Sequence, residues 1–596
     1  MLRDCPLPTC KRLRFLATLY LAVSLFAMLG ITLEQQEVFF YTVRYPIVGP
    51  RIFSTLIIVH AVAAIFQAAS VSFKDSLSHR RQIRRETNSD GGMDMPTMSK
   101  MQPFHVETVI IGTGFSGLLA AVRLQKKGCN DFVLLERSAE LGGTWQVNSY
   151  PGAEVDVPTS LYCISFIPFP FKKSFAPQSE LLAYTNHIID KFGLRKYARM
   201  QQAVTNLAFN DSTCRWLVET EAGDSYSARF VIDASGVLAN PHMPAIKGAE
   251  TFKGPLFHSG HWDHSVAYAG KRVGVIGSGC SAAQIVPAIA DKVARLTLFM
   301  GKAQWILPRD DRQYGAIERQ LRILPGIRHL IRFFVFMFYD ARFVAFRRYP
   351  GLAGISRLMK DQYRRRLQQH LDKYIKDARL RQHMLPDYEL GCRRVIPTNA
   401  YLPALSRDNV EVDISGIECI TPEGINTKDG KQIPLDVIVY ATGYHAYSNM
   451  KKALTFQVFG LNGRNLNGEW ETTPVSYKGI TVSGYPNYFK VNGPNTGTGH
   501  SSQISYMEAA TDYIVQAICA VKRDQRIKAI DAKPELQAAY VAGMRNKMQK
   551  TVWQTAACTA FYRKNMTEEV TSLSPEPASG FILSRRWFHL GDYRLL

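Results

Sequence analysis

The sequence has no CxxC pair, too few acids for its bases and no cluster of metal-ligating side chains. Each absence excludes something. Ten cysteines are scattered from Cys5 to Cys558 without paired spacing. That argues against a disulfide framework and a zinc module, and points to reduced thiols in a protein facing the cytosol. The 50 acidic residues against 72 basic ones leave a net charge of +22. Such an excess suits nucleic acid, an anionic membrane surface or phosphorylated ligands. No nucleic-acid-binding signature occurs, so nucleic acid is not an expected partner. Three histidines crowd into TFKGPLFHSGHWDHS, residues 251–265. No cysteine joins them, Gly254-Pro255 and Gly260 oppose a helix there, and no metal is expected.

What is present begins with two uncharged apolar runs, residues 15–33 and 52–73. Each is close to the roughly 20 residues that span a bilayer. Lys11, Arg12 and Arg14 precede the first, and Lys74, Arg80, Arg81, Arg84 and Arg85 follow the second. This asymmetry places both ends in the cytoplasm, so residues 1–86 are expected to form a membrane anchor, a helical hairpin at the endoplasmic reticulum. Residues 87–103, polar and glycine-containing, read as a linker.

The next segment, ETVIIGTGFSGLLAAVRLQKKGCNDFVLLERS, is a strand, a glycine turn, a helix and a second strand. Gly112, Gly114 and Gly117 form GxGxxG, with Phe115 and Ser116 between them. Gly112 allows the tight turn, Gly114 lets backbone approach a pyrophosphate, and Gly117 lets helix and strand pack closely. The free N–H groups of the helix start favour the phosphates. Glu136 ends the second strand, where a carboxylate accepts from ribose hydroxyls. The unit recurs in KRVGVIGSGCSAAQIVPAIADKVARLTLF, with Gly277, Ser278, Gly279, Ser281 and Ala282 in the turn. No acid follows its second strand, but Lys302 does. A 2′-phosphate is then tolerated, which favours NADPH over NADH. Two such units imply two dinucleotides, one a flavin and one the nicotinamide that reduces it. The fold class expected is α/β, with two Rossmann-like domains.

Between the units, Phe252, Gly254, His258, Trp262 and Asp263 match FxGxxxHxxxW(P/D), the fingerprint of Baeyer–Villiger monooxygenases. The chain resembles this family over residues 104–596. In ELGGTWQVNSYPGAEVDVPTSLYCISF, the resemblance implies that Gly143, Thr144, Trp145 and Tyr162 line the FAD, and that Asp156 orients an active-site arginine. In LGCRRVIPTNAYLPALSRDNV it implies Arg394 as that arginine and Arg393 as a contact to the 2′-phosphate. Relatives usually carry an arginine where this chain has Gly301. Asn495, in the glycine-rich GYPNYFKVNGPNTGTGH, is implied to bind FAD, and Phe561 stands where relatives have a tryptophan. An arginine suits the chemistry because it holds negative charge on oxygen without giving up a proton. His258 is expected to couple domain motion to turnover.

These readings divide the chain into an FAD-binding part at 104–250 and 446–596 and an NADP-binding part at 266–309 and 391–445. Residues 251–265 are the linker between them, and 310–390 a helical insert that shapes the substrate pocket or, alternatively, lies on a membrane surface. The expected enzyme is a membrane-anchored, fungal-type monooxygenase. It uses FAD, NADPH and O2 to turn a lipophilic ketone into an ester or lactone in secondary metabolism, and no obligate protein partner is implied. The alternatives are a flavin N- or S-oxygenase and a membrane flavin reductase. Trp262-Asp263 and Arg394 speak against the first, and a reductase would not need the fingerprint.

Overall fold

A computed structural model describes residues 102–349, 351–445, 454–555, 562 and 569–596. The expected hairpin, the linker up to residue 101 and Phe561 lie outside the described residues. Among the described residues no helix is long and apolar enough to cross a membrane, and no group of side chains is arranged to hold a metal. The fold that follows is that of one compact unit, Gln102–Ile323 with Ile331–Leu596.

The apolar runs TVII and FVLL become central strands because both sheet faces are covered. Strand Phe104–Ile111 pairs in parallel with Phe132–Leu135 on one side and Ser225–Asp233 on the other. An antiparallel meander of Val204–Asn210, Arg215–Thr220 and Ser225–Asp233 extends this sheet. Chain from far downstream returns to it: Gln457–Phe459 pairs with Val204–Asn210, and Tyr488–Lys490 with Ser225–Asp233. Helix Phe115–Lys126 packs on the sheet through Leu118, Leu119, Val122 and Leu124, all buried.

A second sheet is parallel throughout. Its order is Val410–Asp413, Arg295–Phe299, Arg272–Ile276, Val437–Tyr440 and Leu256–His258. Residues 251–265 were expected to be a linker alone, yet Leu256–His258 supplies the edge strand. Helix Cys280–Ile289 runs through Pro287. Pro287 has no N–H for the Ala283 carbonyl, so the helix lacks one bond in its last turn.

The insert is helical, at Ala316–Ile323, Pro325–Ala341, Ala353–Tyr374 and Ala378–His383. Arg332, nearly buried, donates to the carbonyls of Ser160, Leu161 and Cys163 and pairs with Glu508 at 2.8 Å. Cys392 is disulfide-bonded, against the expectation that every thiol is reduced. The lack of CxxC spacing excludes only bridges between near neighbours.

Candidate functional site

Arg394 and Asp156, 238 residues apart, meet in a bidentate pair. Arg394 Nε and Nη2 both donate to the Asp156 carboxylate, the latter at 2.8 Å, and Nη1 donates to the Thr498 carbonyl at 3.3 Å. Burial alone would raise the Asp156 pKa, but the charge and hydrogen bonds of Arg394 outweigh it and hold the carboxyl below its usual range. Burial likewise opposes the Arg394 charge, and Asp156 more than restores it. The side chains keep 28% and 22% exposure, so the guanidinium is charged, fixed and reachable. Around it stand Tyr162, Tyr339 of the insert and the buried Tyr562, which also faces the guanidinium. Burial pushes the Tyr562 hydroxyl up to about 12. Trp145 meets the Tyr162 ring edge-on at 5.8 Å.

The loop carrying Asp156 is gripped by the second domain. Arg309 Nη2 donates to Glu154 at 2.7 Å and to Asp311 at 2.6 Å, while its Nη1 donates to the carbonyls of Val155 and Pro397. Gln284 accepts from the Tyr150 hydroxyl at 2.8 Å and donates to the Glu154 carbonyl at 2.9 Å. Gly152 has φ +80°, and a Cβ there would stand 2.3 Å from the Gln284 carbonyl. The helix Cys280–Ile289 therefore rests directly on this loop. Cys280, at its start, has a thiol pushed up to about 12 by burial and by nearby Asp156.

Both glycine turns fit dinucleotide phosphates. Gly112 (φ +96°) and Gly277 (φ +126°) adopt backbone that a side chain resists. A Cβ on Gly117 would lie 1.9 Å from the Gly112 carbonyl, so helix and strand touch there. A Cβ on Gly143 would lie 2.6 Å from Gly114 Cα, so these two backbones also meet. A Cβ on Gly279, by contrast, would meet nothing within 4 Å beyond its own chain neighbours. Neither helix start is capped by a side chain, which leaves N–H donors for an anion. Glu136, buried, accepts from Thr113 N at 3.0 Å, Thr113 Oγ1 at 2.5 Å and Ser138 N at 3.0 Å. Its carboxylate thus lies at the turn where a ribose would be held.

Thr144 begins the short helix Thr144–Val147 that Gly143 leads into. Ser116 accepts from Asn492 Nδ2 at 3.1 Å. Asn495, implied to bind FAD, donates its side-chain amide to the Leu573 carbonyl at 3.1 Å. Asn492 is the residue that reaches the first glycine turn, and sequence reasoning missed it. In the second turn, Ser278 Oγ donates to the Lys302 carbonyl at 2.7 Å, Ser281 bonds Tyr150, and Ala282 is buried. The Arg393 guanidinium lies 5.3 Å from the Tyr388 ring centroid, and the Tyr388 hydroxyl donates to the Ala303 carbonyl at 2.7 Å. Arg393 is thus linked through Tyr388 to the segment that follows Lys302.

His258 ends the edge strand Leu256–His258 of the second sheet. Its Nδ1 accepts from Gly260 N at 2.9 Å, and its ring meets Tyr444 edge-on at 5.5 Å. Burial lowers it to about 4, against a backbone hydrogen bond at Gly443 that works the other way. The Tyr444 hydroxyl donates to Asn148 at 2.5 Å, and Pro241 bridges Tyr444 where the two interdomain strands pass each other. Trp262 packs on Phe257 and Tyr268, and Asp263 caps Ser265.

Residues 106–317 match the family model of flavin-binding monooxygenase-like proteins. A Baeyer–Villiger monooxygenase of Streptomyces coelicolor is 37% identical, over 83% of this chain and 93% of its own. One from Pseudomonas aeruginosa is 35% identical, over 82% and 92%. Among solved structures, an oxidized steroid monooxygenase bound to NADP superposes with TM-score 0.72 at 25% identity, covering 83% of this chain and 99% of that one. A closed cyclohexanone monooxygenase, at 23% identity and TM-score 0.73 over 83% and 100%, shares the fold. With two dinucleotide cradles meeting at a bidentate arginine–aspartate pair, the chain belongs to the Baeyer–Villiger monooxygenases, flavin-dependent oxidoreductases that use FAD and NADP(H).

Proposed function

We propose that this enzyme inserts one oxygen atom of O2 beside the carbonyl of a lipophilic ketone, giving an ester or lactone in secondary metabolism. The observation that carries the reading is the Arg394 guanidinium, locked on Asp156 and Thr498. Bound FAD, once reduced by NADPH, supplies the activated oxygen. Arg394 holds the negative charge that develops on oxygen as the carbonyl carbon is attacked. It cannot quench that charge, because the proximity of Asp156 raises its already high pKa. Glu136 and Asn492 support the flavin half of the site, and Lys302 with Arg393 the phosphate of the nicotinamide half. Tyr339 brings the insert against Asp156 and Arg394, so the insert forms part of the substrate wall.

Two features support a lipophilic substrate met at a membrane. The sequence carries uncharged runs at 15–33 and 52–73. The insert exposes Ile317 at 78%, Phe333 at 54% and Phe334 at 50%, large apolar side chains available to a membrane surface. The reading places the catalytic domains on the cytoplasmic side, anchored at the endoplasmic reticulum. The test is turnover with 18O-labelled O2 against panels of apolar ketones, amines and sulfides. Ketone products heavier by one labelled oxygen are expected. Oxygenation of amines or sulfides alone would overturn the reading, and release of the full chain by carbonate extraction would remove the anchor.

A further inference from the structure

One buried acid–base pair near the site is used by nothing described so far. Asp340, in helix Pro325–Ala341 of the insert, and His500, just past the glycine-rich return, keep 2% and 1% of their side-chain exposure. Asp340 Oδ1 accepts from Ala578 N at 2.6 Å, and Oδ2 from Ser579 N at 3.4 Å. His500 Nε2 stands 3.5 Å from Asp340 Oδ1 and has no closer polar partner. Its other nitrogen, Nδ1, lies 3.4 Å from Thr498 Oγ1. Thr498 Oγ1 also accepts from the Ser501 backbone at 3.0 Å, and the Thr498 carbonyl receives Arg394 Nη1.

We propose that Asp340 and His500 are positioning residues that hold Thr498, and through its carbonyl the free end of the Arg394 guanidinium, so that the insert sets the aim of the oxygen-transfer site. A burden of this kind needs a reason. Burying a carboxylate and an imidazole costs several kcal/mol unless their hydrogen bonds are met. As a staple for the segment at Ala578, Asp340 would be complete without a histidine. The imidazole adds a second polar edge, and that edge meets Thr498. Burial lowers the His500 pKa, against the opposing effect of Asp340, so the ring is neutral near neutral pH. A neutral ring with its proton on Nε2 toward Asp340 leaves the Nδ1 lone pair for the Thr498 hydroxyl. Phe343, with its ring centroid 4.8 Å from that of His500, and Phe346 keep the ring from turning. Asp156 fixes one edge of the guanidinium; Thr498 fixes the terminal nitrogen that points away from it.

The inference rests on Arg394 being the charge-holding group, and the experiment separates the two. Ester formed per NADPH consumed, the rate of flavin reduction by NADPH without ketone, FAD content and Tm are measured for the full-length holoenzyme and for Asp340→Asn, His500→Gln, Thr498→Val and Thr498→Ser, with Arg394→Ala as reference. Asp340→Asn keeps an acceptor for Ala578 N, and Thr498→Val is isosteric. The expected result is at least about a fivefold fall in ester per NADPH for His500→Gln and Thr498→Val, with flavin reduction within about twofold of wild type, while Asp340→Asn, whose oxygen still faces both Ala578 N and His500 Nε2, keeps its coupling. Thr498→Ser, which keeps the hydroxyl, restores most of what Thr498→Val loses. Unchanged coupling in folded His500→Gln and Thr498→Val overturns the inference, as does a fall in flavin reduction parallel to the fall in ester. Should Asp340→Asn or His500→Gln not fold, equal coupling in Thr498→Val and Thr498→Ser overturns it alone. Full coupling in Arg394→Ala would instead sink the assignment of Arg394.

Discussion

Replacing Asp156 with asparagine tests the central pair most directly. The carboxylate accepts from both Nε and Nη2 of Arg394. Asparagine keeps one acceptor and turns an N–H group toward the other donor. A hydrogen bond to a charged group contributes about 1.5–3 kcal/mol. Two unit charges about 4 Å apart, at an effective dielectric near 20, attract by about 4 kcal/mol. Part of that attraction is offset because the substitution also removes the cost of burying Asp156, the largest single influence on its pKa. Both side chains keep some exposure, 28% and 22%, so solvent screens a further part. A net loss of about 2–3 kcal/mol remains, which is roughly 30- to 150-fold in a rate if it falls wholly on the oxygen-transfer step.

The assay is ester formed at saturating NADPH and ketone, followed by mass spectrometry beside NADPH oxidation and hydrogen peroxide release. Asp156→Asn should lose ester by that factor while NADPH is still consumed, with peroxide accounting for the difference. Ester formation within about threefold of wild type would refute the reasoning. So would an equal fall in flavin reduction, which would make Asp156 part of the cofactor cradle instead.

Three further outcomes are expected. Lys302→Ala with Arg393→Ala should raise KM for NADPH about 10- to 100-fold more than KM for NADH, the value of a charge-assisted bond to a phosphate; equal changes with both nucleotides would remove these residues from phosphate recognition. Gly260→Ala would set a Cβ 2.4 Å from the Tyr444 hydroxyl, which is bonded to Asn148; it should destabilise the protein by about 1–3 kcal/mol and lower ester per NADPH, and an unchanged Tm counts against the hinge. Burial holds His258 down to about 4, whereas a histidine in an unfolded chain titrates near about 6.5. Between these values the unfolded state binds the extra proton, so the stability due to neutral His258 is whole above about pH 6.5 and is lost as pH falls toward about 4. His258→Asn keeps an acceptor for Gly260 N, so by calorimetry its Tm should fall less steeply than wild type on acidification from about pH 7 to about pH 5.

What was legible in the sequence is local. GxGxxG at Gly112 and GxGxxA at Gly277 carry their strands and helices within about 30 residues, and the apolar runs beside them are long enough to read. Asp156 and Arg394 were reached through family motifs rather than through any pattern linking them, since 238 positions separate them. Contacts between distant positions left no mark. Leu256–His258 reads as part of a turn because it follows Gly254-Pro255, and its ladder partner Val437–Tyr440 lies far along the chain. The motif around Asn495 implies a flavin contact; in the fold the residue has φ +58° and its amide donates to the Leu573 carbonyl. Asn492, three positions earlier, faces Ser116 instead. Nothing in a glutamate at 154 or an arginine at 309 announces that they will meet.

That last contact explains why the site belongs to both domains. The Asp156 loop is part of the chain leading from the flavin turn, yet Gln284, Arg309 and the backbone at Gly152 bind it to the nicotinamide domain. Arg394 comes from the nicotinamide half but reaches Thr498 on the flavin half. Each member of the charged pair is thus carried by one domain and steadied by the other. A shift between the domains cannot leave the guanidinium where it was. His258, Tyr444 and Asn148 stand where the connecting strands cross. The fingerprint stretch supplies contacts at this junction, the His258 ring against Tyr444 and the Tyr444 hydroxyl on Asn148, rather than a group beside the guanidinium.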